Sequence, residues 1–235
     1  MTIDITLDFI KKHSLMECLE KFSGAQSTNN EEKEKELNKV FELLAKKMIY
    51  GGYFEVYCKG TVKHRIYIQN VEFYYHEEIK DGFKDWIVYH RNPQKGKGKE
   101  KPAFPLGSLH LHVSGIDITF EDQQKEAKDV KYRASALIRE FIVTNGNREI
   151  RDNDNTDIHP THLYEQLFSQ ASFEEVKIKW HPVVFTDQKV IKRPRINVYE
   201  YDSSGKRLKD SSGKRLKDFK EWSFSREKKI LLEKK

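Results

Sequence analysis

The segment "RIYIQNVEFYY", residues 65–75, decides the fold class, since it is rich in the β-branched and aromatic residues that are typical of a strand. Segments of the same kind recur along the chain and predict a curved, mostly antiparallel sheet. They lie at residues 53–59, 86–90, 108–120, 134–144, 176–185 and 195–201.

Helices are predicted on both sides of the main group of strands. Residues 7–22 and, more strongly, residues 31–50 carry apolar side chains at helical spacing. A shorter helix is predicted at residues 161–172. Helices and strands that occur in separate runs are typical of an α+β protein.

A tandem repeat near the C-terminus sets the predicted domain organisation. The octapeptide SSGKRLKD occurs at residues 203–210 and again at 211–218, which is far too short a period for a solenoid. We interpret it as a basic duplicated loop, 203–218, within a single domain at 31–235. Residues 1–30 are expected to form an N-terminal helical extension of that domain.

The composition favours a folded protein with a polyanionic partner. The chain has 235 residues, a formal net charge of +6 and a pI near 9.0. Its two cysteines, Cys18 and Cys58, support neither a disulfide framework nor a cysteine zinc site. The first residues lack a signal-peptide pattern and no long apolar run occurs, so we expect a cytoplasmic protein without a membrane partner.

Lysines alternate with glycine and glutamate in the segment "RNPQKGKGKEKPAFPLG", residues 91–107. This pattern is typical of a solvated loop. The alternative interpretation is an arm that follows a phosphate backbone through Lys95, Lys97 and Lys99.

Two histidines lie on one face of a predicted strand. His110 and His112 are separated by one residue, which places their side chains about 7 Å apart on the same face. They are candidate pocket residues or metal ligands. As ligands they would need partners such as His64, His76 or His90, and the nearest following glutamate, residue 121, lies later than a cupin-type metal site requires.

Seven segments in the same order resemble the alkyladenine (methylpurine) DNA glycosylases. They extend over residues 43–226 and read "LLAKKMIYGGYFEV", "IYIQNVEFYYHEE", "IVYHRN", "PLGSLHLHVSGIDITF", "SALIREF", "KRPRINV" and "KEWSFSRE". Each match is weak by itself, and the order carries the resemblance. It implies an alkyladenine-glycosylase-like fold and a pocket that binds a nucleobase.

The resemblance implies a set of pocket residues. His90 falls on the family's pocket histidine and Arg139 on the arginine of its L-L-R segment. His110 and His112 fall on the two tyrosines of its Y-V-Y strand. His76 takes the place of the aromatic residue that stacks on the flipped base.

Other positions depart from the family in ways that affect catalysis. Tyr74 falls on the water-activating glutamate, and Glu72 on the acid two residues earlier. Ser114 stands where the family inserts a bulky tyrosine into the duplex, and Glu121 where it has a pocket asparagine. A tyrosine with an ordinary pKa near ~10 is a poor base at neutral pH, so retention of the chemistry is left open.

These observations predict a nucleobase-binding protein of DNA repair, with N-glycosidic hydrolysis of a modified purine in DNA as the implied reaction. Tyr74, Glu72 and Arg139 are the candidate catalytic residues, and Arg193 and Arg195 are expected to join the lysines on the nucleic-acid backbone. The alternatives are a relative that binds a nucleotide or single-stranded nucleic acid without excision, and a His-ligated metal protein. In the main interpretation we expect a monomer without a cofactor or metal.

Overall fold

Strand β2, Thr61–Glu77, is the longest strand and the centre of the structure. The computed structural model describes residues 14–93, 98–146, 148, 154–168, 176–185, 188–202 and 204–227. Its remaining elements are α1 (Ser14–Glu20), α2 (Asn30–Tyr50), β1 (Gly52–Cys58), β3 (Leu109–His112), β4 (Gly115–Thr119), β5 (Tyr132–Asn145), α3 (His162–Phe168), β6 (Val176–Pro182), β7 (Val190–Arg193) and β8 (Ser223–Arg226).

The strands form one curled antiparallel sheet of eight strands in the order β3-β4-β5-β2-β1-β6. β5 pairs with β2 along nearly its whole length, from His64 opposite Asn145 to Glu77 opposite Tyr132. On the other side of β2, β1 pairs with the first residues of the strand and β8 with residues 70–72. β7 pairs with β8. The structure is therefore a single α+β domain, as the sequence predicted.

Helix α2 packs on one face of this sheet. The side chain of Asn29 caps the helix by accepting a hydrogen bond of 2.8 Å from the Glu31 backbone N–H. Phe41, on the apolar stripe, stacks on Phe73 of β2 with 4.5 Å between ring centroids. Alternation along β2 then turns Tyr74 to the opposite face, which the helix does not cover.

Helix α1 joins the same hydrophobic core. Leu15, Leu19 and Phe22 are buried in it, and Phe22 makes edge-to-face contact with Phe120. The described part of the predicted 1–30 extension is thus packed against the domain. No described helix is both long and apolar enough to cross a membrane.

The predicted strand at residues 86–90 is wrong. The segment forms turns instead, with the Val88 backbone N–H donating to the Asp85 carbonyl at 3.2 Å. Its alternation is real, because Val88 and His90 are buried while Tyr89 is 39% exposed. No described strand pairs with it, so alternation in this case marks the two sides of a loop.

The single strand predicted at residues 108–120 is a hairpin of β3 and β4. Val113 and Ser114 form the turn, and Gly115 begins β4 with a φ of +136°, in the region that favours glycine. A Cβ atom there would lie 2.8 Å from Pro160 Cβ, so space as well as conformation requires glycine. The hairpin brings His110 opposite Asp117.

The strand predicted at residues 195–201 is also absent from the described part of this region, where only isolated bridges at Tyr199 and Tyr201 occur. The regular strand of this region is β7, which ends at Arg193, because Arg195 turns into the interior to form buried ion pairs.

Candidate functional site

A cavity of about 610 Å³ opens on the face of the sheet that α2 leaves uncovered. Its floor is formed by β2, β3, β4 and β5, and its walls by the loop at residues 87–90 and the segment 196–198. Six of the residues predicted to form the site line this one cavity. They are Tyr74, His90, His110, His112, Ser114 and Arg139.

Aromatic rings stack along one wall. Tyr89 stacks on both histidines of β3, with centroid distances of 5.4 Å to His110 and 4.7 Å to His112. The His110 ring also contacts the Phe104 ring, with 4.1 Å between their centroids. Burial lowers the pKa of His110, which favours its neutral form. The two histidines thus share a face, as their spacing predicted. They lie beside Tyr89, which was not among the predicted site residues.

His90 is held in place by a buried carboxylate. Its Nδ1 contacts Glu121, whose other oxygen accepts from Arg133 Nη1 at 2.9 Å. Both Glu121 and Arg133 are fully buried. Among the described residues, His90 Nε2 has no hydrogen-bond partner although it is buried. Glu121 therefore lies behind the cavity and orients His90.

Asp117 is a carboxylate in the cavity wall that the resemblance does not assign to the site. It is 2% exposed, and the Ser135 hydroxyl donates to its Oδ2 at 3.0 Å. Its Oδ1 lies 3.2 Å from His112 Nε2, without hydrogen-bond geometry, and accepts no hydrogen bond from the described residues. The Ser114 backbone N–H donates to His112 Nδ1 at 3.3 Å. A buried carboxylate oxygen is thus available to a ligand or a water.

The Tyr74 side chain is hydrogen-bonded to Glu72, which lies two residues earlier on the same face of β2. Its hydroxyl donates to Glu72 Oε1, while Oε2 accepts from the Ile196 backbone N–H at 2.9 Å and lies 3.8 Å from Arg139 Nε. Burial, followed by the charge of Glu72, raises the pKa of Tyr74 far above its ordinary value. Tyr74 therefore stays protonated, and Glu72 lies beneath the cavity floor rather than in the cavity.

His76 does not line the cavity. It is 3% exposed, its Nδ1 lies 3.1 Å from the Asp85 carbonyl, and its ring contacts Trp86. The two acids that follow it in the chain are also engaged elsewhere, since Glu77 pairs with Lys33 at 2.6 Å and Glu78 with Arg133 at 2.9 Å. Stacking on a base by His76 is therefore not supported.

The burial of His76 predicts a pH-dependent stability. Burial lowers its pKa to about 4, whereas the unfolded chain keeps a value near 6.5. The unfolded state then binds more protons between these values, so stability is full above pH 6.5 and is lost as the pH falls. From pH 7 to pH 5 we expect His76 to cost about 2 kcal/mol of unfolding free energy in denaturant titrations.

The matched variants for this titration are His76→Asn and, at an exposed position, His159→Asn. The first should lose most of the decrease in stability between pH 7 and pH 5, and the second should keep it. An equal decrease in both variants would show that another group is responsible.

The basic residues predicted on a nucleic-acid backbone are separated by the fold. Arg195 is 4% exposed and pairs with Asp85 at 2.5 Å and with Asp218, so it is not available to a phosphate. Arg193 and Lys99 are exposed. Lys95 and Lys97 lie outside the described residues.

The described residues contain no group of three or more His, Cys, Asp or Glu side chains placed to hold a metal ion. His64 and His76 lie near opposite ends of β2, which is 17 residues long, and therefore cannot act together. This part of the structure gives the His-ligated metal alternative no support.

No protein-family profile, curated protein or solved structure matched the chain. The resemblance to alkyladenine DNA glycosylases stays a prediction, and the site is interpreted from its own geometry.

Proposed function

We propose that this cavity binds a nucleobase carried by a nucleic acid or a nucleotide. The observation that supports this most is the convergence of six residues from four separate segments of the chain on one cavity. The resemblance had assigned His90, His110, His112 and Arg139 to a base pocket, Tyr74 to the water-activating position and Ser114 to the position that enters the duplex. A cavity of about 610 Å³ lies within the usual size range of small-molecule sites.

The chemistry of the walls suits a flat heteroaromatic ring with polar edges. Tyr89 and the two β3 histidines form an aromatic wall along which such a ring can lie. His90 Nε2 lacks a hydrogen-bond partner among the described residues, and a base edge would give it one. Arg139 adds a cation for an electron-rich base edge or a phosphate.

The alkyladenine-glycosylase-like fold is part of the same proposal. Hairpin β3–β4 would stand where that family carries its duplex-inserting residue. Ser114 is small, but the preceding Val113 is 94% exposed at the hairpin tip and borders the cavity. An exposed apolar side chain at the rim is the kind of wedge that offsets the unstacking of a base.

Hydrolysis of the N-glycosidic bond needs a carboxylate that can accept a proton from water. Asp117 is the carboxylate that lines the cavity, and His112 lies beside it. In this reaction the water oxygen bonds to C1′ of the sugar and the C1′–N bond breaks. The base leaves with the electron pair, and the proton taken up by Asp117 returns to the departing base.

The second candidate function is base binding without excision. It is favoured by Tyr74, because a tyrosine that is held protonated occupies the position where the resemblance places the water-activating glutamate. The two candidates share the cavity and differ in turnover, so base release distinguishes them.

Binding tests the cavity itself. We expect His90→Ala and Arg139→Ala each to weaken binding of a methylated-purine nucleotide or oligonucleotide by about 10-fold or more, because each removes a polar group that faces the cavity. Fluorescence anisotropy or calorimetry would measure the loss. His159→Ala and Arg226→Ala, outside the cavity lining, are the controls. Unchanged affinity in both folded cavity variants would show that the base does not bind there.

A further inference from the structure

The duplicated octapeptide folds into a closed ring of three short segments. Residues 199–201, 207–209 and 215–217 are joined by bridges between Tyr201 and Arg207, Lys209 and Arg215, and Tyr199 and Lys217. We call residues 199–217 the basic triangle. The first side precedes the repeat, and each copy of the octapeptide supplies one further side.

Backbone hydrogen bonds close the triangle in one direction. The Leu208 N–H donates to Glu200 at 2.9 Å, the Leu216 N–H to Leu208 at 3.1 Å, and the Glu200 N–H to Leu216 at 3.0 Å. The second copy is therefore a structural part of this unit, whereas the sequence alone suggested a tolerated loop insertion.

Asp202, just before the first copy, and Asp210, the last residue of that copy, are used inside the turns of the triangle. Asp202 accepts from the backbone N–H groups of Ser204 at 2.9 Å and Lys206 at 3.0 Å. Asp210 repeats this pattern in the second copy, with Ser212 and Lys214 at 2.9 Å. These carboxylates are engaged by the turn backbone, which leaves the cations on the outside.

The six cations of the two copies are all exposed, and none forms an ion pair with a carboxylate in the described part of the chain. They are Lys206, Arg207, Lys209, Lys214, Arg215 and Lys217. Two of them are ordered by aromatic rings, since Arg207 lies 5.7 Å and Arg215 5.6 Å from the Tyr199 ring centroid. The hydrogen-bonded segments thus present six exposed cations on one unit, and the two arginines are already placed against an aromatic ring.

The basic triangle begins where the cavity wall ends. Asn197 and Val198 line the cavity, and Tyr199 follows directly. The turn of the first copy packs on Trp86, because a Cβ atom at Gly205 would lie 3.2 Å from its indole ring. Trp86 in turn precedes Ile87 of the opposite cavity wall. The basic triangle therefore adjoins both walls of the cavity.

We propose that the basic triangle binds the phosphate backbone of a nucleic-acid strand whose base occupies the cavity. This inference rests on the proposed function and makes the substrate a polynucleotide rather than a free nucleotide. Backbone contacts of this kind are independent of sequence and strongly weakened by salt.

The test uses the full chain and two variants of equal charge. In the triangle variant Lys206, Lys209, Lys214 and Lys217 are changed to Gln, which leaves the stacked arginines intact. In the control variant the same change is made at four exposed lysines outside the cavity lining, on α2 and in the loop before β5. These are Lys35, Lys39, Lys125 and Lys128. Circular dichroism and thermal melts would establish that both variants fold.

Affinity is measured by anisotropy for a labelled single strand of about 12 nucleotides and for dAMP, between about 50 and 200 mM salt. We expect the triangle variant to bind the strand about 10-fold or more weakly at the lower salt. When the logarithm of the binding constant is plotted against the logarithm of the salt concentration, the slope should be less steep by about 0.7 for each phosphate that the variant no longer neutralises. Its affinity for dAMP should equal that of the wild type. The control variant should change strand affinity less than about twofold.

Equal decreases of strand affinity in both variants would overturn the proposal, because net charge alone would then explain them. Wild-type strand affinity in the triangle variant would overturn it too, while dAMP binding that still depends on His90 would leave the proposed function standing. If strand affinity decreases in the triangle variant but is unchanged in His90→Ala and Arg139→Ala, the cavity assignment is wrong. The triangle is then a phosphate-backbone site that acts without the cavity.

Discussion

Asp117→Asn is expected to slow base release from methylated DNA to about 1/100 of the wild-type rate or less, which is the usual contribution of a positioned general base. Asparagine keeps the shape of the side chain and the hydrogen bond that the Ser135 hydroxyl donates at 3.0 Å. It cannot accept a proton from water. Affinity for the uncleaved strand should stay within about threefold of the wild type, since binding and proton transfer are separate steps.

The substrates for this measurement are alkylated and deaminated DNA, double- and single-stranded, with free bases identified by mass spectrometry. Tyr74→Phe, on β2 of the same cavity floor, is the matched variant. It should keep most of the activity, because Tyr74 is held protonated by its raised pKa. Loss of release in Tyr74→Phe but not in Asp117→Asn would reverse the assignment. Absence of release from every substrate would leave binding without excision.

Arg195→Met is expected to lower the free energy of unfolding by about 3–5 kcal/mol, the usual cost of removing one partner of a buried ion pair. Arg195 pairs with both Asp85 and Asp218, and its guanidinium lies 5.2 Å from the Tyr74 ring centroid. Burial opposes the charge, but the two carboxylates raise the pKa of Arg195 well above its ordinary value. Methionine would leave buried Asp85 without its cation and buried Asp218 with Lys220 alone, which lies 3.2 Å from its Oδ1.

The control for this stability measurement is Arg193→Met, on the exposed surface of β7, which should change stability by less than about 0.5 kcal/mol. A triple variant with Asp85→Leu and Asp218→Leu added to Arg195→Met should recover part of the loss, because it removes the unpaired charges. Urea titration measures all three variants. A loss below about 1 kcal/mol in Arg195→Met would show that water or relaxation compensates the two carboxylates.

The elements that depend on local pattern were predictable from the sequence. Residues 31–50 carry an apolar helical stripe and form α2, and residues 65–75 and 134–144 lie within β2 and β5. The pattern could not distinguish a strand from a loop at residues 86–90. Alternation reports which side chains are buried, whereas a strand also needs a neighbour to accept its backbone hydrogen bonds.

The candidate site was predictable in part, through the order of segments rather than any one motif. His90, His112 and Arg139 meet at the cavity although they are far apart in the chain. Asp117 was missed because a lone aspartate inside the apolar run of β4 carries no signal of its own. Its position opposite His110 follows from the turn at residues 113–114, which the single-strand interpretation did not include.

The basic triangle ties the number of repeat copies to the shape of this corner of the protein. Its three segments each give one backbone hydrogen bond to the next and accept one from the last, so two octapeptides and the segment before them complete the circle. Deletion of one copy would preserve the reading frame but leave two segments whose outer backbone groups have lost their partner. A third copy would meet a ring in which these backbone groups are already hydrogen-bonded to one another. Gain or loss of a single unit would therefore alter architecture and charge together.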